Sequence, residues 1–448
     1  MTQCVEQLHL GILQGKRITC DFDGGDISSD GGLMLVAAAD ERLGLTRQMA
    51  DCVADPRAPA KVRHSLQELL AQRVYQIAAG YEDCNDADDL RHDPVLKTAV
   101  GRLPQTGRDL ASQSTLSRFE NAVTRRELWQ MAEVLVEQFV TRHAATRPRY
   151  IVLDFDATDD ATHGQQQFAE FHGFYEEHCY LPLIVTAQVA GGPQELLVAL
   201  LRRGRSHASR GALAVLKRLV ARLRQQWPGL PILVRGDSGF ALPALYDWCE
   251  AQDAPVRYLI GLAQNVRLRA LAEPHLQAAR EEHARTGEKV RRIHGARYAA
   301  KPWPHRRRVL IKAEVAAKGD NPRFVVTNLR GRAAGLYDLY AARGEMENRI
   351  KELKCDLQMD RTSCHRFVAN QFRVLLHAAA FVLCCALREA LAGTELATAQ
   401  VSTLQRRLLK LGVRVKETAR RVWLQFASSC PLQQLWPVVL ARLTPLPT

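Results

Sequence analysis

The sequence predicts an α/β protein with a mixed β-sheet, preceded by a mostly helical amino-terminal domain. Residues 148–263 alternate apolar strands with an amphipathic helix, in the order strand, strand, strand, helix, strand. Residues 1–145 instead show the helical spacing of apolar side chains together with helix-start signals. Residues 264–334 contain alternating short strands, Arg307 to Val315 and Phe324 to Thr327.

Two capping boxes mark helices in the amino-terminal region. Ser65 and Glu68 precede a run with apolar residues on one face, and Thr124 and Glu127 repeat the device. The stretch "LASQSTLSRFEN" between them has the polar composition of a helix that enters a DNA groove. From the residues alone, an ordinary exposed helix is the simpler interpretation.

Acidic residues follow two of the predicted strands. The predicted strand Tyr150 to Phe155 contains Asp154 near its end, and Asp156, Asp159 and Asp160 follow it. The strand Leu230 to Val234 leads into Asp237. Ligands bind at the carboxyl ends of strands in open α/β sheets, although an aspartate after a strand is more often a turn or cap residue.

A third acid lies on a predicted helix with the sequence "YDLYAARGEMENRIKELKCDL". The spacing of Tyr340, Arg343, Glu347 and Lys354 places them within a sector of roughly 60° on one helix. A solvated helix with internal ion pairs is the alternative. Together with the strand-end aspartates, however, the helix supplies three acids from three elements, which is the layout of a two-metal phosphodiester site.

These motifs resemble those of the DDE transposases of bacterial insertion sequences. Tyr340, Arg343, Glu347 and Lys354 match the Tyr-Arg-Glu-Lys signature of that family at its spacing. Asp156-Ala157-Thr158 matches the first acidic motif, and Asp237 in "RGDSGF" matches the second. The stretches "GYEDCNDADDLRHDP" and "SQSTLSRFENAV" extend the resemblance over nearly the whole chain.

The resemblance implies a domain organisation. It predicts a ribonuclease-H-like catalytic core in residues 146–263 and 335–392, with a β-rich insertion at 264–334. Residues 1–145 become a mostly helical domain for recognition of DNA ends. Residues 393–448 form a carboxy-terminal helix-hairpin-helix segment.

The same resemblance implies the chemistry. Asp156, Asp237 and Glu347 would be the catalytic residues and would hold two Mg²⁺ ions, for which Mn²⁺ can substitute. Tyr340, Arg343 and Lys354 would contact the phosphates of the element's ends, which are cleaved and then joined to target DNA. Asp154 is the local rival to Asp156, because both lie on one face of the strand.

An aromatic residue within a basic run is a further candidate for DNA binding. In "KPWPHRRRVLIK", Trp303 lies among Arg306, Arg307 and other cations, a combination suited to stacking an unpaired base. A tryptophan that packs on its own domain beside a solvated charge run is the alternative.

Composition favours a polyanionic partner, since the net charge is +13 and the isoelectric point about 9.4. We expect double-stranded DNA as partner, in the form of terminal inverted repeats and target DNA, and a homodimer because two ends are cut together. The apolar run Val374 to Leu387 is too short to span a bilayer. With no secretion signal evident, we expect a cytoplasmic, nucleoid-associated bacterial protein without membrane contact.

Two other functions fit the same sequence. One is a nuclease or resolvase on the same fold that lacks strand transfer. The other is a domesticated DNA-binding protein that has lost catalysis, although intact Asp156, Asp237 and Glu347 argue against it.

Overall fold

The computed structural model describes residues 7–444 and contains two compact units. Unit 1 comprises the residues up to Ala122 together with those from Ala379 onward, and unit 2 comprises Val123–Ala378. The predicted end of the amino-terminal domain is residue 145. In the structure the helix Arg125–His143 belongs to unit 2, because its apolar face packs into the core of that unit.

The elements of unit 1 lie at the two ends of the chain. Those before the boundary are β1 (Leu8–Leu13), β2 (Lys16–Cys20), β3 (Ile27–Ser28), α1 (Leu33–Leu43), α2 (Leu45–Asp51), a 3₁₀ turn (Pro59–Lys61), α3 (Leu66–Ala78), α4 (Ala87–Leu90), α5 (Pro94–Ala99) and α6 (Gln113–Ala122).

The elements of unit 2 follow in the middle of the chain. They are α7 (Arg125–His143), β4 (Ile151–Ala157), β5 (Asp160–Ala161), β6 (Glu170–His172), β7 (Glu177–Tyr180), β8 (Leu183–Val189), β9 (Gln194–Leu200), α8 (Ala212–Gln226), β10 (Ile232–Gly236), a 3₁₀ turn (Ser238–Phe240), α9 (Pro243–Glu250), β11 (Val256–Leu262), α10 (Val266–Thr286), β12 (Val290–Tyr298), β13 (Arg307–Ala316), β14 (Gly319–Asp320), β15 (Arg323–Thr327), α11 (Ala333–Ala341), α12 (Gly344–Lys351) and a π-helical turn (Glu352–Asp356).

The remaining elements begin with a helix that crosses the unit boundary. They are α13 (Phe367–Ala390), α14 (Val401–Leu404), a π-helical turn (Gln405–Leu409), β16 (Val413–Thr418), β17 (Arg421–Phe426) and α15 (Leu435–Leu443). The hairpin predicted in the carboxy-terminal segment is present as β16 and β17, which pair antiparallel.

Unit 2 is built on a nine-stranded mixed sheet with the order β12-β13-β15-β11-β10-β4-β8-β9, and β14 pairs with β13. The central strands β4, β10 and β11 run parallel. On one side β8 and β9 continue antiparallel, and on the other side β15, β13 and β12 do the same. The prediction of an α/β protein with a mixed sheet is therefore confirmed.

Strand alternation separates the two faces of this sheet. Ile151, Leu153 and Phe155 of β4 point into a large core that also contains apolar residues of α7, α8, α9 and α10. Val152, between them, points to the opposite face and joins a smaller core with Tyr337 of α11. Residues 152, 154 and 156 therefore share the α11 side of the sheet.

Residues 264–334, predicted as a β-rich insertion, contain a helix as well as strands. The predicted strands are present as β13 and β15, but they extend the main sheet through the pairing of β15 with β11. Before them lies the 21-residue helix α10. Its N-cap is Asn265, whose side chain accepts a hydrogen bond from the Leu268 N–H.

The strand β13 carries a buried acid, Glu314, that is fully paired. Lys312 and Lys289 approach its carboxylate to 2.9 and 3.0 Å, and the Asn321 amide donates at 2.9 Å. Burial alone would raise the pKa of Glu314, but these hydrogen bonds lower it from 4.5 to about 2.

Among residues 7–444, one helix, α13, is long and apolar enough to cross a membrane by length and composition. Of its most apolar window, 89% is buried, as expected for the core helix predicted from Val374 to Leu387.

Both predicted capping boxes are present. Ser65 accepts from the Glu68 N–H at the start of α3, and Thr124 does the same with Glu127 at the start of α7. Leu69, Leu70, Val74 and Ile77 of α3 are buried as predicted, and the chain leaves the helix through Gly80 at φ +90°.

Candidate active site

Asp156 and Asp237 lie side by side at the carboxyl ends of two adjacent parallel strands. Phe155 of β4 is in register with Gly236 of β10, and each acid is the next residue along its strand. The apolar residues that precede them bury both strands, so the sheet fixes the position of the two backbones. Carboxylates are thereby placed at the sheet edge where α/β proteins bind ligands.

Asp237 also shapes the turn that follows it. Its Oδ1 accepts a hydrogen bond from the Gly239 N–H at 2.9 Å, which caps the 3₁₀ turn Ser238–Phe240. Gly261 of β11 packs against this turn: a Cβ atom there would lie 2.8 Å from the Ser238 nitrogen and 2.9 Å from the Tyr340 hydroxyl. Only glycine allows so close an approach of backbone and side chain.

Arg343 connects the first and third acids. Its Nη1 donates to Asp156 Oδ2 at 2.8 Å, and its Nη2 donates to Glu347 Oε1 at 3.0 Å. The Arg343 side chain is 14% exposed and that of Glu347 is 56% exposed, so the pair extends from the sheet edge to the surface. One guanidinium thus neutralises two of the predicted acids.

Asp156 has a pKa raised by its surroundings. Burial raises the pKa of Asp156 to about 6; Arg343 acts to lower it and the charge of Asp237 acts to raise it. The charge of Asp237 therefore acts on the Asp156 carboxylate, and two carboxylates that repel each other are stabilised by a divalent cation bound between them.

The signature residues do not lie on one continuous helix, as the sequence analysis expected. Tyr340 lies in α11, Arg343 and Glu347 flank the start of α12, and Lys354 lies in the π-helical turn. Around Arg343 the chain tightens, since the Arg343 N–H bonds to the Tyr340 carbonyl and the Met346 N–H to the Arg343 carbonyl. A regular 100° step therefore does not hold across the segment.

Lys354 contacts an acid outside the predicted triad. Its Nζ lies 2.9 Å from Asp159 Oδ2, three residues beyond Asp156. The next residue, Asp160, is buried and accepts a hydrogen bond from the Thr362 hydroxyl at 2.9 Å. Burial raises the pKa of Asp160 well above its ordinary value.

Asp154 is held away from the other acids by a buried arginine. Arg235 donates from Nε and Nη2 to its two oxygens, both at 2.6 Å, and each side chain is 1% exposed. Gln194 adds a third hydrogen bond to Asp154, also at 2.6 Å. Although Asp154 and Asp156 share a strand face, Asp154 is committed to the interior.

The basic aromatic run is largely engaged within unit 2. Trp303 makes edge contacts with Tyr246 and Tyr298, at ring distances of 5.7 and 5.5 Å. Arg307 is 2% exposed and pairs with Asp247 and Glu250, while Arg306 is exposed. These contacts favour the packing alternative for Trp303.

Three residues at this site were not found by sequence reasoning. Arg235 and Gly261 position the site, and Tyr175 lies close enough to the acids that their charges, after burial, raise its pKa to about 12. The signals were present but weak: an arginine at the end of an apolar strand, and a glycine inside "YLIGLA".

The site is suited to a hard divalent cation by its chemistry. Its acids offer carboxylate oxygens, the ligands that Mg²⁺ and Mn²⁺ prefer. Between residues 7 and 444, no three His, Cys, Asp or Glu side chains converge closely enough to hold one ion. The Arg343 guanidinium, itself a cation, contacts both Asp156 and Glu347, so a single positive group can bind these two carboxylates at once.

Comparison with known proteins gives a family. No match to a curated protein was found. A solved piggyBac transposase synaptic complex with hairpin DNA is similar over 85% of this chain and 79% of that chain, with 10% identity and a TM-score of 0.42, which is too low to carry an argument. A sequence model described as "Transposase DDE domain group 1" matches residues 10–448.

The family match spans almost the whole sequence and confirms the resemblance predicted from the acidic and Tyr-Arg-Glu-Lys motifs. The chain belongs to the transposase family with the DDE domain of group 1.

Proposed function

We propose that this transposase binds the terminal inverted repeats of its own insertion sequence, cleaves the ends and joins them to target DNA. The observation that carries the proposal is the placement of Asp156 and Asp237 on adjacent parallel strand ends, with Glu347 joined to Asp156 through Arg343. Acids brought together from separate elements would repel an anionic phosphodiester. They suit such a substrate when divalent cations are bound between the acids and the phosphate.

We propose further that the catalytic core is ribonuclease-H-like. The order β9-β8-β4-β10-β11 supports this. In chain order, β4, β8 and β9 form an antiparallel set, and β10 and β11 then run parallel to β4. The strand β4 carries Asp156, and Asp237 directly follows β10.

Asp156, Asp237 and Glu347 are the residues that would hold Mg²⁺, or Mn²⁺ in its place. When bound, two such ions supply activation of the attacking oxygen and stabilisation of the leaving oxygen. Asp237 remains fixed by its hydrogen bond from Gly239, whereas Glu347 sits on the exposed side of α12 and can rotate toward the other two acids.

Arg343, Tyr340 and Lys354 are proposed to contact phosphates at the element's ends. A DNA phosphate competes with Asp156 and Glu347 for the Arg343 guanidinium, since all three are oxyanions of similar geometry. Binding of the end would thereby release two carboxylates for the metal. Trp303, Arg306 and Arg307 remain a second predicted contact, of which Arg306 is the exposed member.

Recognition of the DNA ends is proposed for unit 1, where a basic cleft of about 340 Å³ supports it. Its cations are Arg57, Lys61, Arg63, Arg91 and Arg118. His64 also lines the cleft, but burial and the neighbouring arginines lower its pKa. Within the described part of the chain, Lys61, Arg63, Arg91 and Arg118 have no ion pair with an acid, while Ser112 and Thr115 of the α6 region add hydroxyl donors. Such a cleft suits a DNA phosphate backbone.

The cleft can be tested by its salt dependence. Arg91→Ala with Arg118→Ala should reduce the magnitude of the salt slope of DNA binding by about 2. Arg47→Ala, an exposed arginine of α2, is the matched control and should leave the slope unchanged. An unchanged slope in the double variant would remove the cleft from the DNA contact.

We also propose a homodimer that brings two ends together, acting on double-stranded DNA in the bacterial cytoplasm at the nucleoid. Supporting this are the net charge of +13 and the need to cut both ends of one element.

Cleavage by variants of the three acids tests the catalytic proposal. Asp156→Ala, Asp237→Ala and Glu347→Ala should each abolish Mg²⁺-dependent cleavage of DNA that brackets the gene, with DNA binding largely retained. Glu345→Ala is the matched control for Glu347, because Glu345 is 51% exposed on the same helix and pairs with Arg349. Cleavage by any of the three at the wild-type rate would exclude that residue.

The two rival functions are separated by the products of the same assay. A nuclease without strand transfer would yield cleaved ends that never join to a target plasmid. A domesticated binding protein would bind the ends and produce no cleavage in Mg²⁺ or Mn²⁺.

A further inference from the structure

A small hairpin rich in exposed aromatic side chains projects from the edge of the candidate active site. We call residues 168–178 the aromatic hairpin. Phe174 at its tip is 82% exposed, Phe171 is 47% exposed and Phe168 is 40% exposed. Such a cluster of exposed phenylalanines on one short segment marks a binding surface more often than chance placement.

The hairpin is tied directly to the strand that carries Asp156. The strand β5 begins four residues after Asp156, and it pairs with β7, whose other edge pairs with β6. The Gln167 N–H also bonds to the His365 carbonyl, and Gln166 donates to the Thr362 carbonyl, so the base is fixed on the segment beyond Lys354. The base of the hairpin is therefore held beside the strand end that carries Asp156, and Tyr175, next to Phe174, lies within the electrostatic influence of Asp159, Asp156 and Asp237.

A second anchor comes from the loop after β9. A Cβ atom on Gly204 would lie 2.2 Å from the Cys179 carbonyl oxygen and 2.4 Å from that of Glu170, so this loop packs tightly against β6 and β7. Arg203 pairs with Glu170 at 2.8 Å and covers the Phe168 ring at 4.7 Å. The aromatic hairpin is consequently packed at its base, while the rings of Phe171 and Phe174 remain solvent-exposed.

The surroundings of the rings indicate which part of DNA they meet. Arg205 and Arg210, both exposed, have no ion pair with an acid among residues 7–444 and can reach a backbone. Glu176 at the tip is also exposed, which disfavours a phosphate directly against the turn. Flat apolar faces beside a phosphodiester-cleaving site therefore suit the bases and not the backbone.

We propose that the aromatic hairpin binds unpaired nucleobases at the cleaved end of the DNA, with Phe171 and Phe174 as stacking surfaces. This rests on the proposed function, since it places the same DNA end at the same acids. It assigns base contact to a segment other than the Trp303 region, and it makes distortion of the end a feature that the protein recognises.

Binding to two probes tests the inference without divalent metal, so that no cleavage occurs. One probe is a fully paired duplex from the DNA that brackets the gene, and the other has the same sequence with unpaired nucleotides, including 2-aminopurine, at the end. Phe171→Ala with Phe174→Ala should weaken binding of the unpaired probe about 5- to 150-fold for each base stacked. Affinity for the paired duplex should change little, and the 2-aminopurine quenching should disappear.

Matched variants keep the test specific. Phe174→Trp should retain quenching, whereas Phe174→Leu should lose the part that Phe174 contributes, because stacking needs a π face and not bulk alone. Trp129→Ala removes a 50% exposed aromatic of α7 and should have no effect. Equal losses on both probes, retention by Phe174→Leu, or a change in oligomeric state in place of DNA affinity would overturn the inference.

A failure of this inference can be distinguished from a failure of the catalytic proposal. If the acid variants abolish cleavage while the hairpin variants bind both probes normally, the proposed function stands and the hairpin inference falls. If the hairpin variants lose the unpaired probe while the acid variants still cleave, base binding by the hairpin stands and the assignment of the three acids falls.

Discussion

Replacing Asp154 and Asp156 by asparagine should affect different properties of the protein, although the two acids are two residues apart. Asp154→Asn leaves the Arg235 guanidinium buried with a neutral amide in place of a carboxylate, and each side chain is 1% exposed. Removing one partner of a buried ion pair costs about 3–5 kcal/mol. For a unit of this size, that free energy lowers the Tm by about 6–20 °C.

Asp156→Asn should instead spare stability and abolish cleavage. Its carboxylate is already penalised by burial, with a pKa of about 6, and Arg343 retains its contact with Glu347. We therefore expect a change in unfolding free energy below about 1 kcal/mol. Because a divalent cation needs the ionised carboxylate, no Mg²⁺- or Mn²⁺-dependent cleavage should remain.

Thermal unfolding by calorimetry and end cleavage in Mn²⁺ measure the two effects on the same preparations. Asp154→Asn should retain cleavage at temperatures where it is folded. A Tm loss for Asp156→Asn as large as that for Asp154→Asn, or cleavage lost only in Asp154→Asn, would refute the assignment. The first metal ligand would then be Asp154.

Three further predictions follow from local contacts. Glu314→Gln should be less stable than wild type above pH 4.5, with the difference in unfolding free energy shrinking as pH falls toward 2, because the folded-state pKa lies below the unfolded one; a pH-independent difference in urea titrations would contradict this. Gly261→Ala should displace the Asp237 turn and slow cleavage about tenfold or more, whereas Gly335→Ala, which has open space, should not. Trp303→Ala should cost about 2 kcal/mol of stability in denaturant titrations, less than a fully buried tryptophan would, because Trp303 is half-buried. Unchanged stability with accumulation of nicked ends would favour base stacking.

The local pattern of the sequence was sufficient for the central strands of unit 2. Apolar runs ending in Asp156 and Asp237 gave two strands with acids at their ends, because burial on both sides leaves a strand few alternatives. Capping boxes at Ser65 and Thr124 fixed two helix starts, since those hydrogen bonds are made within four residues.

The helix α10 and the break in the signature segment were not predicted. Residues 266–286 lie in a segment whose later part has the alternating pattern of strands, and Pro274 inside the helix is a residue that argues against a helix. The tightening around Arg343 depends on contacts that the segment makes with the strand ends, and a fixed helical step cannot describe it.

The sequence by itself determined which side chains are chemically able to serve, namely the acids, the arginine and the lysine of the signature, because residue types and spacing are local properties. Only the tertiary structure decided how they are paired. Alternation places Asp154 and Asp156 on the same face, but the register of β10 sets Arg235 opposite Asp154 and leaves Asp156 at the open end of the sheet. Burial and pairing arise from residues distant in the chain, and for that reason the different surroundings of these two neighbouring carboxylates are set by the fold.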